Sequence, residues 1–183
     1  ARAMVLLART TVSIGSPMSL DWSYDNKYLA IATQSGRLAI YYFNGSSLTL
    51  RTSISLGAQG NSVRWNPDSA HYYVAIASNN TSAKVRVYQF DGSSTLTLKS
   101  TVNPTGTMNN VAWQGRGKVL GVAGSTYLYA YPFNLTTGAL GSPVSASVSG
   151  GLNYDVMCWA PTGSKDDLII GTQSGLLYLF NYT

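Results

Sequence analysis

Hydrophobic and polar positions follow one pattern four times along this chain. Each unit starts at a tryptophan, passes through a polar turn into an apolar run, and ends in a segment that carries two aromatic positions. These segments are roughly five to eight residues long, rich in β-branched and aromatic residues, and bounded by Gly, Asn, Asp, Ser or Pro, which is typical of β-strands. The pattern therefore predicts an all-β protein made of tandem repeats.

The four tryptophans set the register of the repeat, with spacings of 43, 48 and 46 residues. An aromatic position in the third segment of each unit aligns with them. Aromatic side chains that recur at a fixed strand position are expected to pack between neighbouring units. We therefore predict a core formed by Trp22, Trp65, Trp113, Trp159, Tyr41, Tyr88, Tyr131 and Phe180.

A fourth segment follows an Asn- or Asp-containing turn. It reads SLTLRTSISL from Ser47 and TLTLKSTV from Thr95, whereas the copy that starts at Ala139 is interrupted by Pro143. Four strands in a unit of about 45 residues are the spacing of a β-propeller blade. We predict one propeller domain over residues 1–183, with four four-stranded blades at residues 16–57, 58–103, 104–150 and 151–183.

One further predicted strand, at residues 4–15, precedes the first tryptophan. Blade 4 has no outer strand of its own, and an unpaired sheet edge invites aggregation. We expect the N-terminal strand to complete blade 4 and close the ring. Four blades require steep angles between neighbours, which small residues near the axis, such as Ala112 and Cys158, could permit. The alternative is an eight-bladed ring shared by two chains, a homodimer that exchanges its N-terminal strands.

The units resemble WD40-type propeller repeats. The segments W-S-x-D-x-x-Y-L-A from Trp22, W-N-P-D from Trp65 and W-A-P-T from Trp159 are similar to the W-S-P-D-G-x-Y-L-A variety of bacterial and phage-encoded propellers. The resemblance implies a propeller fold and no catalytic residue. The Gly-His and Trp-Asp signatures of the eukaryotic repeats are absent from the sequence, so the buried His–Asp hydrogen bonds of those repeats are not implied.

Composition narrows the class of function. Charged residues make up only 10% of the 183 residues, the seven acidic residues are all Asp, and the net charge is +5. Twelve Lys and Arg without a basic run attract polyanions only weakly, so we expect no sequence-specific nucleic-acid binding. No stretch approaches the roughly 18 apolar residues of a membrane span, so we expect no membrane partner. The single cysteine excludes an internal disulfide.

Few residues could support catalysis or metal binding. His71 is the only histidine, which excludes a multi-histidine metal site, and we interpret it as a turn residue beside Asp68. Cys158 is interpreted as a small buried residue of an inner strand. Asp21 occupies the same register as Arg64 of the next blade, so we expect a structural ion pair.

A glycosidase-type site would need two carboxyl groups about 5–9.5 Å apart. Asp21 and Asp155 both lie near inner strands, and Asp166 and Asp167 are neighbours in a predicted solvated loop. We expect no enzymatic activity, no metal and no cofactor. An enzyme would instead require Asp21 or Asp155 to be buried in a cleft.

Two surface features could bind partners. Arg9, Arg51 and Lys99 fall at matching positions of three outer strands and would form a basic rim if all three point outward. We favour the interpretation that these charges keep outer strands from pairing with other chains. Several tyrosines could offer rings to sugars, although at least half are expected to be buried between blades: Tyr72, Tyr73, Tyr127, Tyr129, Tyr154 and Tyr178.

The leading hypothesis is a non-enzymatic propeller that serves as a structural or interaction module within a larger protein assembly. Its most specific version, based on the motif resemblance, is a phage virion component such as a capsid decoration or tail-associated protein. That version predicts a virion or extracellular location and leaves a cytoplasmic location open. The alternatives are a glycan-binding, lectin-like propeller and a general protein–protein interaction scaffold.

Overall fold

A computed structural model describes residues 13–147, 156–160, 166–172 and 174–183. Within these ranges the chain forms sixteen β-strands and no helix, which confirms the all-β class. Among the described residues, accordingly, no helix is long and apolar enough to cross a membrane. The strands form four antiparallel sheets, which follow one another along the chain and are called blades 1 to 4.

Blades 1 and 2 are four-stranded meanders in which each strand pairs with the next. The innermost strand of each ends at a tryptophan. In blade 2 the outermost strand is the most exposed, whereas in blade 1 the innermost strand is exposed as well. Blade 1 consists of β1 Pro17–Trp22, β2 Tyr28–Thr33, β3 Arg37–Phe43 and β4 Leu48–Ser55, and blade 2 of β5 Gly60–Trp65, β6 Tyr72–Ser78, β7 Val85–Phe90 and β8 Leu96–Val102.

Blades 3 and 4 depart from the four-stranded pattern. In blade 3 two short strands flank Pro143, and both pair with the third strand, because proline cannot donate a ladder hydrogen bond. Blade 4 has three strands among the described residues. Blade 3 consists of β9 Met108–Trp113, β10 Val119–Gly124, β11 Tyr127–Asn134, β12 Ala139–Leu140 and β13 Val144–Ser147, and blade 4 of β14 Val156–Trp159, β15 Asp166–Gly171 and β16 Leu177–Tyr182.

The closing strand and one loop were predicted for blade 4. The predicted closing strand at residues 4–15 lies mostly outside the described residues, which begin at residue 13. The loop assignment of Asp166 and Asp167 is wrong, because both residues begin β15. Their carboxylates have partners there: Gln114 of blade 3 donates to Asp166 at 2.6 Å, and Asn181 of β16 donates to Asp167 at 2.8 Å.

The hairpin between the third and fourth strands is built the same way in blades 1 to 3. An Asn or Asp at its start accepts hydrogen bonds from backbone N–H groups two and three residues further on, at 2.8–3.1 Å. Short polar side chains favour turns through such bonds. Backbone N–H groups of Thr95, Ser93 and Ser94 lower the pKa of Asp91 to about 2. The residues that start these hairpins are Asn44, Asp91 and Asn134.

Neighbouring blades pack face to face through three apolar clusters, one at each junction. We call the side of a blade that meets the next blade its forward face, and the opposite side its backward face. The tryptophans of blades 2, 3 and 4 lie on backward faces and are 5%, 9% and 7% exposed. The indole N–H of Trp113 donates to the Arg64 carbonyl at 3.1 Å, and that of Trp159 to the Ala112 carbonyl at 3.0 Å.

The first tryptophan departs from this pattern. Trp22 is 39% exposed, although it occupies the same register as the other three. The reason is its position in the order of blades: blade 1 comes first, so no described blade packs on its backward face. Trp22 instead contacts Phe43 of its own blade edge-to-face, with ring centroids 5.5 Å apart.

Polar contacts also join the blades. The Asp21 carboxylate accepts the backbone N–H of Trp65 at 2.8 Å. No Asp21–Arg64 ion pair within 4 Å occurs among the described residues, so that expectation is wrong; Arg64 donates to Ser19 and to the Val63 carbonyl instead. Burial raises the pKa of Asp21, even though the Trp65 N–H and the Arg64 charge act to lower it.

The pKa of a second aspartate of blade 1, Asp25, is lowered. Asp25 accepts hydrogen bonds from the Ser23 hydroxyl and from the Tyr72 hydroxyl of blade 2, both at 2.7 Å. Burial acts to raise the pKa of Asp25, but bonds from Ser23, Tyr72 and the Lys27 N–H together outweigh burial, so the pKa is lowered. The pKa of Asp21 is raised and that of Asp25 is lowered, so a change in pH affects the contact between blades 1 and 2 in opposite directions through the two carboxylates.

The different exposures of the tryptophans predict different stability costs. Trp65→Ala should lower the free energy of unfolding by about 3–5 kcal/mol, because it empties a buried junction. Trp22→Ala should cost clearly less, because part of its surface already contacts water. Urea unfolding of both variants and the parent, at a protein concentration low enough to keep the chains monomeric, tests this. Equal losses for the two variants would contradict the assignment of Trp22 to an open face.

The two aspartates predict opposite pH dependences. Between about pH 2 and 6, Asp21 releases its proton more readily in the unfolded chain than in the folded protein. Raising the pH over this range should therefore lower the free energy of unfolding of the parent relative to that of Asp21→Asn. Over the same range the parent should gain stability relative to Asp25→Asn, because the native state favours the ionised Asp25. Urea unfolding at several pH values measures both differences. The same sign for the two variants would contradict either the burial of Asp21 or the hydrogen bonds of Asp25.

Candidate interaction surface

His71 and the described aspartates that were considered for catalysis have structural partners. His71 Nδ1 lies 2.8 Å from Asp68 Oδ2, and the ring stacks on Tyr73 with centroids 5.4 Å apart. Asp155 lies outside the described residues. No group of three or more His, Cys, Asp or Glu side chains that could hold a metal occurs in the described part of the chain. The aspartates therefore join turns and blades to one another.

The described tyrosines do not form one exposed site per blade. Tyr73 is buried, and its hydroxyl donates to the Leu135 carbonyl of blade 3 at 3.1 Å. The Tyr72 ring packs at the first junction, where burial and then the Asp25 hydrogen bond raise its pKa. Tyr127 is exposed, Tyr129 and Tyr178 are half-buried, and Tyr154 lies outside the described residues. This arrangement gives little support to a repeated sugar site.

The two described members of the predicted basic rim lie at β-bulges. Arg51 is the extra residue of β4, between the partners of Ile40 and Tyr41, and Lys99 holds the same place in β8. Both side chains are exposed, and the Arg51 guanidinium lies 4.7 Å from the centre of the Tyr42 ring. Charges and bulges on outermost strands hinder pairing with other chains. Arg9 lies outside the described residues.

An apolar crevice opens between blades 3 and 4, beside the broken outer strand. Its volume is about 200 Å³, and Val144, Trp159 and Phe180 form part of its wall. Sites for drug-sized ligands usually enclose about 300–1,000 Å³. The crevice is therefore small for such a ligand.

The forward face of blade 4 is an exposed apolar surface. Cys158, Ile169 and Leu179 lie side by side across the three strands, and Leu177 follows on β16. Leu177 is 79% and Leu179 is 68% exposed, and Cys158 is exposed as well. The expectation that Cys158 is buried is wrong, because no described element covers this face.

The same positions are buried in the other blades. In the aligned registers, Leu38, Val85 and Leu128 correspond to Leu177, and Ile40, Val87 and Ala130 to Leu179. Each of these six side chains packs against the next blade or lies buried at its junction. Sequence reasoning missed this surface, although the alignment of the repeats already contained the signal: the last unit keeps apolar residues at the positions that face a following unit in the other three.

Comparisons with known proteins bear on the fold. No protein-family model and no curated protein matches the sequence. Among solved structures, Sqt1 of Saccharomyces cerevisiae is 11% identical, with a TM-score of 0.76 over 92% of this chain and 46% of that one. The Cps50 (Swd1) β-propeller domain of Myceliophthora thermophila is 14% identical, with a TM-score of 0.67 over 91% of this chain and 52% of that one.

The chain thus spans about half the length of the solved structures it matches. At these identities the likeness concerns the fold alone. The four antiparallel sheets, their order along the chain and this likeness together show a β-propeller fold.

Proposed function

We propose that this protein is a non-enzymatic β-propeller that acts through protein–protein contacts as part of a larger assembly. The observation that carries the proposal is the forward face of blade 4, which exposes Leu177, Leu179 and Ile169 at positions that are buried in the preceding blades. An exposed apolar patch on a soluble protein marks an interaction site. A flat sheet face suits another protein surface better than it suits a small molecule.

The non-enzymatic part of the proposal is supported by the use of the described carboxylates. Asp21, Asp25 and Asp166 accept hydrogen bonds that join one blade to the next, and Asp91 accepts those of a hairpin. A carboxylate whose lone pairs serve the fold is poorly placed to exchange protons with a substrate.

The narrower hypotheses stay predictions. A phage virion role, with a virion or extracellular location, rests on the similarity of the repeat motif to phage-encoded propellers. A glycan-binding role would need aromatic sites repeated on each blade, and the placement of Tyr73 within a junction argues against such repetition. The interaction role is therefore preferred to both.

The proposal predicts that the protein is part of an assembly in its native extract. Tagged parent, Leu179→Asp and Leu98→Asp proteins are expressed in the source cells, and each extract is separated by gel filtration. Leu98 is the matched control, since it is an exposed leucine on the outer strand of blade 2.

The parent and Leu98→Asp should elute well above the 19.6 kDa of the chain, and Leu179→Asp should elute at a smaller size. A carboxylate on the apolar face would oppose its burial against a partner. Elution of the parent as a 19.6 kDa species in the native extract would contradict the proposed function.

A further inference from the structure

The backward face of blade 1 is open next to the inner strand. Leu20 is 54% exposed and Trp22 is 39% exposed. The residues that correspond to Leu20 in the other blades are buried at the junctions: Val63, Val111 and Met157. Blade 1 therefore exposes, on β1, the kind of surface that blades 2 to 4 bury against a preceding blade.

On β2 and β3, farther from the inner strand, the same face is covered, as the backward faces of the other blades are at their junctions. Ile14 packs on a buried cluster that contains Leu29, Ile31 and Tyr41. At the first junction Leu56, the residue that follows the outer strand of blade 1, packs on the corresponding side of blade 2. Ile14 thus holds on blade 1 the place that Leu56 holds on blade 2.

Backbone contacts support this correspondence. The Ser35 hydroxyl donates to the Ile14 carbonyl, as the Asn80 amide donates to the Leu56 carbonyl. The residue after each carbonyl is a glycine with positive φ, 111° at Gly15 and 74° at Gly57. Residues 14 and 15 therefore enter blade 1 as the end of a preceding blade's outer strand would. No described blade that could supply such a strand lies on the backward face of blade 1.

Blade 4 is the blade that lacks both an outer strand and a covering neighbour among the described residues. Its forward face is open in this structure, so it does not pack on blade 1 of its own chain. The curvature of the chain explains the gap. The four sheets superimpose on about half of the longer Cps50 (Swd1) β-propeller domain, so they follow the curvature of part of that domain. Closing four blades on themselves would require steeper angles.

We propose that the forward face of blade 4 binds the backward face of blade 1 in a second copy of this chain, so that two copies close one eight-bladed ring. The proposal rests on the proposed function and names its partner. Twofold symmetry makes the two new junctions identical, and each joins Leu177, Leu179 and Ile169 of one copy to Leu20 and Trp22 of the other. Ile169 is larger than the corresponding Ala30, Ala75 and Gly121, so the new junction is wider there than the internal ones.

The mass of the purified protein tests the proposal. Sedimentation equilibrium of the parent should give twice 19.6 kDa, and Leu179→Asp and Leu20→Asp should each give 19.6 kDa. Loss of one buried leucine contact weakens a junction by at least about 30-fold, and each homodimer of these variants carries the change twice. Leu98→Asp should stay dimeric.

Mixing the two monomeric variants identifies the geometry. A pair of Leu179→Asp with Leu20→Asp contains one unaltered junction and one doubly altered junction, so the mixture should regain a heterodimer that neither variant forms alone. The reactivity of the Cys158 thiol gives a second signal. It should be slow in the parent dimer and fast in both monomeric variants, with circular dichroism showing that all of them are folded.

Three results would overturn the proposal. The first is a parent that stays at 19.6 kDa up to millimolar concentration. The second is a series of higher oligomers, which shows contacts that do not close. The third is a dimer that survives both substitutions. A monomer when pure that is nonetheless large in the native extract would refute the second copy and leave the proposed function standing.

Discussion

A β-sheet of this composition has two apolar faces, and each face must be covered by something other than water. That requirement governs the whole molecule. Blades 2 and 3 meet it on both sides, because each lies between two neighbours. The tryptophan at the end of each inner strand fills the junction, and in two of the three junctions its indole N–H also donates to a carbonyl of the preceding blade. The ends of the array cannot meet the requirement within the described chain.

The consequence for function is that the features available to a partner are sheet faces. Polar side chains serve the turns and the links between blades, so few are left to form a site. The charged residues on outer strands sit at bulges, where they discourage pairing along the rim. Among the described residues, the forward face of blade 4 and the inner part of the backward face of blade 1 each expose neighbouring apolar side chains. Two surfaces that correspond to the two sides of one junction suit association by continuation of the blade array.

Much of the fold could be predicted from sequence, because the information is periodic. A tryptophan at a regular spacing and an apolar run after it define where strands begin, and the interruption at Pro143 predicts the broken outer strand of blade 3. The predictions that failed depend on contacts between repeats. Register alone places Asp21 beside Arg64, yet the backbone N–H of Trp65 is nearer to the carboxylate. Cys158 has the pattern of a buried residue and is exposed, since burial at that position requires a following blade.

The sequence by itself therefore determined the strands, their order within each blade and the apolar character of both faces, because these depend on side-chain periodicity within one unit. Only the tertiary structure decided which of the equivalent residues are buried. Trp22 and Trp65 share a register but differ in exposure, and so do Leu38 and Leu177. The physical reason is that burial requires two surfaces in contact. Each repeat specifies only its own surface, and the curvature of the array decides whether another surface reaches it.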